Sequence, residues 1–172
     1  MESSKKAGDL KLDLFDYPHI PYWFTLKQAI GIIRKSMFET DKCFHPFAIL
    51  VFDEKYNLMG TLSLKDILKG LEPKFLTPST KAQGYSESPE SLSLVWDSLF
   101  AEKSKALAEK PVIEVMVPIK GQVSSDSPVT KAAYLMVHQD VMILPVIDNQ
   151  KIVGIIRMKE VFEEIAKAIL NE

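Results

Sequence analysis

The chain has 172 residues, 47 % of them hydrophobic, which is enough to bury one ordinary core or two small ones with a common wall and is at odds with wholesale disorder. Its 21 basic residues against 23 acidic ones leave a net charge of −2, which argues against nucleic acid or an anionic membrane as the main partner. The single cysteine, Cys43, excludes an intramolecular disulfide and an all-cysteine metal site, and fits a reducing, cytoplasmic setting.

Residues 1–9 are polar, lack the apolar stretch of a signal peptide, and read as a mobile tail. No apolar run in the chain approaches the roughly 20 residues of a membrane span. Leu10, Leu12, Leu14 and Phe15 alternate in part, as in a strand or an arm laid on the other half of the chain. Tyr17 to Phe24 is aromatic and carries Pro18 and Pro21, which predicts an extended edge segment or loop. Tyr22, Trp23 and Phe24 can stack a flat ligand or fill a core or interface, and both readings stand at this point.

Leu26, Ala29, Ile30, Ile33 and Met37 recur at helical spacing and predict a helix over 26–38. A buried strand over Phe47–Phe52, a turn at Asp53–Asn57 and a second strand over Leu58–Leu62 follow. The next helix starts near Leu64 and ends by Gly70, with Pro73 just beyond. Pro73–Ser91, rich in Pro, Ser, Thr, Glu and Gly, reads as a linker. Ser88 caps a helix predicted over 89–109, with Leu92, Val95, Trp96, Leu99 and Phe100 on one face, turned to this protein's own surface, a second copy or a partner.

After Val112 the pattern returns. Gln122–Ser125 is extended, and Ser127-Pro128 opens a helix by capping, with Val129, Ala132, Ala133 and Met136 inward. Strands at Ile143–Ile147 and Ile152–Ile156 flank the turn Asp148–Lys151, and a last helix carries Met158, Val161, Phe162, Ile165 and Ile169 inward. Gly60-Thr-Leu-Ser-Leu-Lys-Asp66 recurs 94 residues later as Gly154-Ile-Ile-Arg-Met-Lys-Glu160. Thr25-Leu-Lys-Gln-Ala-Ile30 matches Pro128-Val-Thr-Lys-Ala-Ala133, and Leu50-Val-Phe-Asp53 matches Pro145-Val-Ile-Asp148; extra residues in the first copy fall within Lys35–His45. Two copies of one unit, 10–72 and 111–172, with a linker over 73–110, is the organisation this implies.

Each copy sets a polar residue three positions ahead of an acid at a helix start: Ser63 before Asp66, Arg157 before Glu160. A capping box explains the first pair without any ligand. The fork of Arg157 can grip a phosphate or remain a solvated charge.

Met142-Ile-Leu-Pro-Val-Ile-Asp148, then Val153-Gly-Ile-Ile156 and its helix, together with Val115-Met-Val-Pro118 and Ser124 to Val129, resemble a cystathionine-β-synthase-type (CBS) domain. The two copies together resemble the tandem arrangement called a Bateman module, leaving the N-terminal tail and Glu72–Lys110 outside. The resemblance implies an α+β (α/β) fold of two β-α-β-β-α units packed sheet to sheet with pseudo-twofold symmetry, here with an inserted linker helix. It also implies an adenine nucleotide (AMP, ADP or ATP) or S-adenosylmethionine in the clefts between the units, no catalytic cofactor, and a disc-shaped homodimer.

In that family the acid holds the ribose hydroxyls, a role that maps onto Asp66 and Glu160. The residues expected at the ligand are Ser63 and Asp66 in one cleft, and Ser124, Met142, Ile143, Leu144, Pro145, Arg157 and Glu160 in the other. The chain departs from the family pattern at Arg157, where a small hydroxyl residue is usual, at the longer acid Glu160, and at the bulky Tyr22–Phe24. Since an occluded cleft admits nothing, the cleft of Arg157 and Glu160 is the one expected to be occupied.

Catalytic chemistry is missing from the sequence. There is no Gly-rich phosphate loop, and His19, His45 and His138 are isolated. Cys43 and His45 have no third metal ligand at suitable spacing, and Cys43 has no orienting base. The expectation is a regulatory module, not an enzyme, that binds an adenosyl small molecule and acts on a protein partner. The alternative is a ligand-free structural module that dimerises and regulates a partner.

Overall fold

The computed structural model describes residues 5–38, 48–72 and 101–171. The expectations for Cys43, His45, Phe47, the linker 73–91 and the apolar face from Leu92 to Phe100 lie outside these residues. A 3-10 turn spans Ala7–Leu10. The first unit follows as β1 (His19–Pro21), α1 (Leu26–Phe38), β2 (Ala48–Phe52), β3 (Leu58–Ser63) and α2 (Leu64–Leu71). Residues 101–107 are helical (α3). Then come a second 3-10 turn, Val112–Glu114, and β4 (Val117–Pro118), β5 (Val123–Ser124), α4 (Val129–Gln139), β6 (Ile143–Asp148), β7 (Lys151–Arg157) and α5 (Met158–Leu170).

In both units a parallel strand precedes an antiparallel hairpin, giving sheet orders β1-β2-β3-β4 and β5-β6-β7. The hairpin turns follow from their residues. Asp53 accepts the backbone N–H groups of Lys55 and Asn57, 2.8 Å each, and the Asn57 side-chain amide, which holds its carboxyl below the usual range. Asn149 and Gln150 take positive φ (46° and 64°), as a two-residue turn between right-twisted strands requires.

All five residues of β2 are buried, and strand alternation divides them between two environments. Ile49 and Val51 meet Leu26, Ala29 and Ile33 of α1 and Ile67 of α2. Ala48, Leu50 and Phe52 face the other way and meet Tyr17, Ile143 and Ile155, so the two sheets share an apolar wall. The second unit has its own helix-side core of Val123, Val129, Ala132, Met136, Leu144, Val146, Ile156 and Val161. Each Val, Leu, Ile, Phe or Met among these, fully buried, is worth about 1.5–3 kcal/mol.

The segments that lead into each unit are exchanged. Val112, at the start of the second unit, is buried in the first unit's core, and its N–H donates to the Phe24 carbonyl at 2.7 Å. Ala7, ahead of the first unit, is buried in the second unit's core, and its N–H donates to the Ser127 carbonyl at 2.8 Å. β4 pairs with β3, while Leu12 pairs with Ile155 of β7 through reciprocal bonds of 2.7 and 2.9 Å. The Leu26 N–H that opens α1 donates to Lys110, and the Val129 N–H that opens α4 donates to Lys5. These matched pairs express the pseudo-twofold relation expected for two copies.

Three expectations are corrected. Residues 5–9 are not a free tail, because the backbone around Ala7 completes the second unit. Ser127 does not cap α4 through its side chain; the Lys5 carbonyl takes the first N–H instead, and Ser127 is itself buried. On α5, Met158, Val161 and Ile165 reach the core, but Phe162 and Ile169 are 71 % and 72 % exposed. Among the described residues α5 packs chiefly on α4 and β7, and these cover a narrow stripe of it.

Candidate functional site

At the start of α2, Ser63 and Asp66 form a reciprocal capping box. The Asp66 N–H donates to Ser63 Oγ at 3.1 Å, while the Ser63 N–H and Oγ–H donate to Asp66 Oδ2 at 2.9 and 2.6 Å. Both side-chain hydrogen bonds of Asp66 among the described residues use Oδ2. The box thus fixes a carboxylate at a helix N-terminus, beside N–H groups that favour an anion.

The start of α5 is built differently. Arg157 occupies the capping position but makes no side-chain cap bond. Its guanidinium turns to Glu160: Nε donates to both carboxylate oxygens at 3.1 and 2.9 Å, and Nη2 also donates to Oε1. Both side chains are largely withdrawn from water, 14 % and 18 % exposed. That bond to Glu160 raises the Arg157 pKa further above its ordinary range.

Tyr17, from the lead-in of the first unit and only 1 % exposed, sits against this pair. Its ring centroid is 5.8 Å from the Arg157 guanidinium carbon. Burial, the largest influence, raises the Tyr17 phenol above its ordinary 10.0, although Arg157 opposes it. A folded-state pKa above the unfolded one stabilises the fold below about pH 10, and that stability is lost as pH climbs toward the folded value. Tyr17→Phe should therefore flatten the fall of melting temperature above about pH 10 relative to wild type. Parallel curves would show that Tyr17 ionises as freely folded as unfolded.

Of the other expected site residues, Ile143 lies in the wall between the sheets, and Pro145 shares its face of β6 by alternation. Leu144 does not join them; it is 1 % exposed in the helix-side core and cannot line an inter-unit cleft. Met142 is 47 % exposed, with its carbonyl accepting the Met158 N–H, and Ser124 is in β5 beside Ile147. Tyr22 and Phe24 do not stand as free stacking surfaces, for they pack on the first unit's helix-side core, while Trp23 is 51 % exposed. Sequence reasoning missed Tyr17. Its only signal was an aromatic ahead of a predicted strand, and its partners lie in the other repeat.

Among the described residues no group of three His, Cys, Asp or Glu is placed to hold a metal ion, and no helix is long and apolar enough to cross a membrane.

The CBS domain family matches residues 110–167. Among solved structures, CBSX2 in complex with AMP superposes with a TM-score of 0.60 at 18 % identity, over 98 % of this chain and 99 % of that one. The chain folds as a tandem CBS pair. The CBS domain of a bacterial CNNM/CorC family Mg2+ transporter in complex with ATP is also similar to this CBS pair, with a TM-score of 0.63 and 15 % identity over 94 % of this chain and 87 % of that one. So is the cytosolic domain of the Mg2+ channel MgtE in complex with ATP, at 0.57 and 22 %, covering 92 % of this chain. The CBS pair spans about half of that MgtE chain, 48 %. Among curated proteins, no sequence matches this one significantly.

Proposed function

We propose that this CBS pair is a non-catalytic regulatory module that binds an adenine nucleotide or S-adenosylmethionine between its units and passes the bound state to a protein partner. The observation that carries this reading is the Ser63–Asp66 box: a carboxylate held ready at the start of α2, in a fold whose neighbours were solved with AMP and ATP. A carboxylate accepts from both vicinal ribose hydroxyls, and the helix N-terminus suits phosphate. Asp66 is preferred to Glu160 because both oxygens of Glu160 are already held by Arg157.

AMP, ADP, ATP or S-adenosylmethionine at about 100 times its dissociation constant should stabilise the protein by about 2.7 kcal/mol in a thermal-shift panel. Asp66→Asn keeps a side-chain acceptor for the capping box and should cut the shift to about half or less. No shift with any of the four ligands at millimolar concentration would leave the ligand-free structural module as the better reading.

The same module is proposed to be a homodimer. Tyr134 and Val137 of α4 and Phe162, Ile169 and Leu170 of α5, two helices that pack together, leave large apolar side chains in water. Light scattering should return twice the chain mass of 19.4 kDa. The single-chain mass across a wide concentration range would overturn this.

A further inference from the structure

Glu160 is the repeat counterpart of Asp66, yet its surroundings differ in kind. Asp66 is held through one oxygen by the neutral Ser63, whereas both oxygens of Glu160 are held by the charged fork of Arg157. A fork-to-carboxylate pair uses the same two acceptors that vicinal hydroxyls need. Arg157 is in turn covered by Tyr17, a residue of the first unit with almost no exposed surface. A ribose arriving at Glu160 has to break the bidentate bond and leave a poorly hydrated cation without its counter-charge, which is costly.

We infer that Tyr17, Arg157 and Glu160 form an internal lock that occupies the second motif in place of a ligand and ties it to the first unit, leaving one adenosyl-ligand site per chain. The ligand count rests on the reading given above; the lock itself rests on geometry. It reverses the expectation that the cleft of Arg157 and Glu160 is the occupied one. Pocket space was the reason for that expectation, and Tyr22 and Phe24, thought to fill the first cleft, pack on the helix-side core instead.

Calorimetric titration with ATP and with AMP tests the count. Wild type should take up one equivalent per chain. Asp66→Asn should weaken binding about tenfold or more, the loss expected for a charged hydrogen-bond acceptor. Glu160→Gln should leave affinity unchanged, and the double variant Arg157→Ser, Glu160→Asp should take up a second equivalent. Two equivalents in wild type, loss of binding in Glu160→Gln, or no second equivalent in the double variant would overturn the lock.

If wild type binds neither nucleotide, the nucleotide reading fails and the lock is decided without ligand. Melting temperatures of Tyr17→Phe, Glu160→Gln and their combination should then be less than additive, because the three groups act as one unit. Additive losses would overturn it.

Discussion

Leu50→Ala is expected to lower the unfolding free energy by about 2–5 kcal/mol and to leave a single melting transition for both units. Leu50 has no exposed surface and sits at the centre of the wall between the sheets, where Tyr17, Phe52, Ile143 and Ile155 surround it. Truncation removes its transfer free energy and leaves a cavity that two stiff sheets cannot close. The wall belongs to both units, so neither half has a complete core alone. Calorimetry checks the claim. Two separate transitions, or a loss below about 1 kcal/mol, would mean that the units are stabilised independently.

Gly60→Ala and Gly154→Ala should each cost about 1–3 kcal/mol, although glycine-to-alanine changes elsewhere in a chain commonly stabilise. A β-carbon at Gly60 would stand 2.5 Å from the Val117 carbonyl oxygen, and one at Gly154 would be closer still to that of Leu12. In both cases the obstacle is backbone of the exchanged lead-in, which cannot rotate away. Gly31 provides the internal control. It is in α1 with nothing within 4 Å of a built β-carbon, so Gly31→Ala should stabilise by about 1 kcal/mol. Denaturant midpoints for the three variants settle the sign at each position. Neutral effects at both Gly60 and Gly154 would mean that the lead-ins are held loosely.

The paired glycines also mark how far the sequence could be read. Their repetition at 60 and 154 is visible in the sequence as part of the motif that ends in Asp66 and Glu160. What the glycines serve, close approach by a strand from the opposite unit, involves residues far off in the chain and leaves no periodic trace. The same limit applied to Ser127. A serine ahead of a helix reads as a cap, but the carbonyl of Lys5 had already taken that role.

The sequence by itself determined the elements and their order, because helical and strand periodicity, turn residues and the Ser63–Asp66 box are set by neighbours within about four positions. It also determined that the unit occurs twice, and through the repeat the family of fold. Only the tertiary structure decided which core each lead-in completes, that Leu144 faces helices while Ile143 faces the opposite sheet, and that Arg157 is spent on Glu160 under Tyr17. Those outcomes depend on which surfaces meet when two similar units pack together. A charged fork with a carboxylate three residues away can grip a phosphate, meet water or close on its neighbour, and burial by the first unit selects the last.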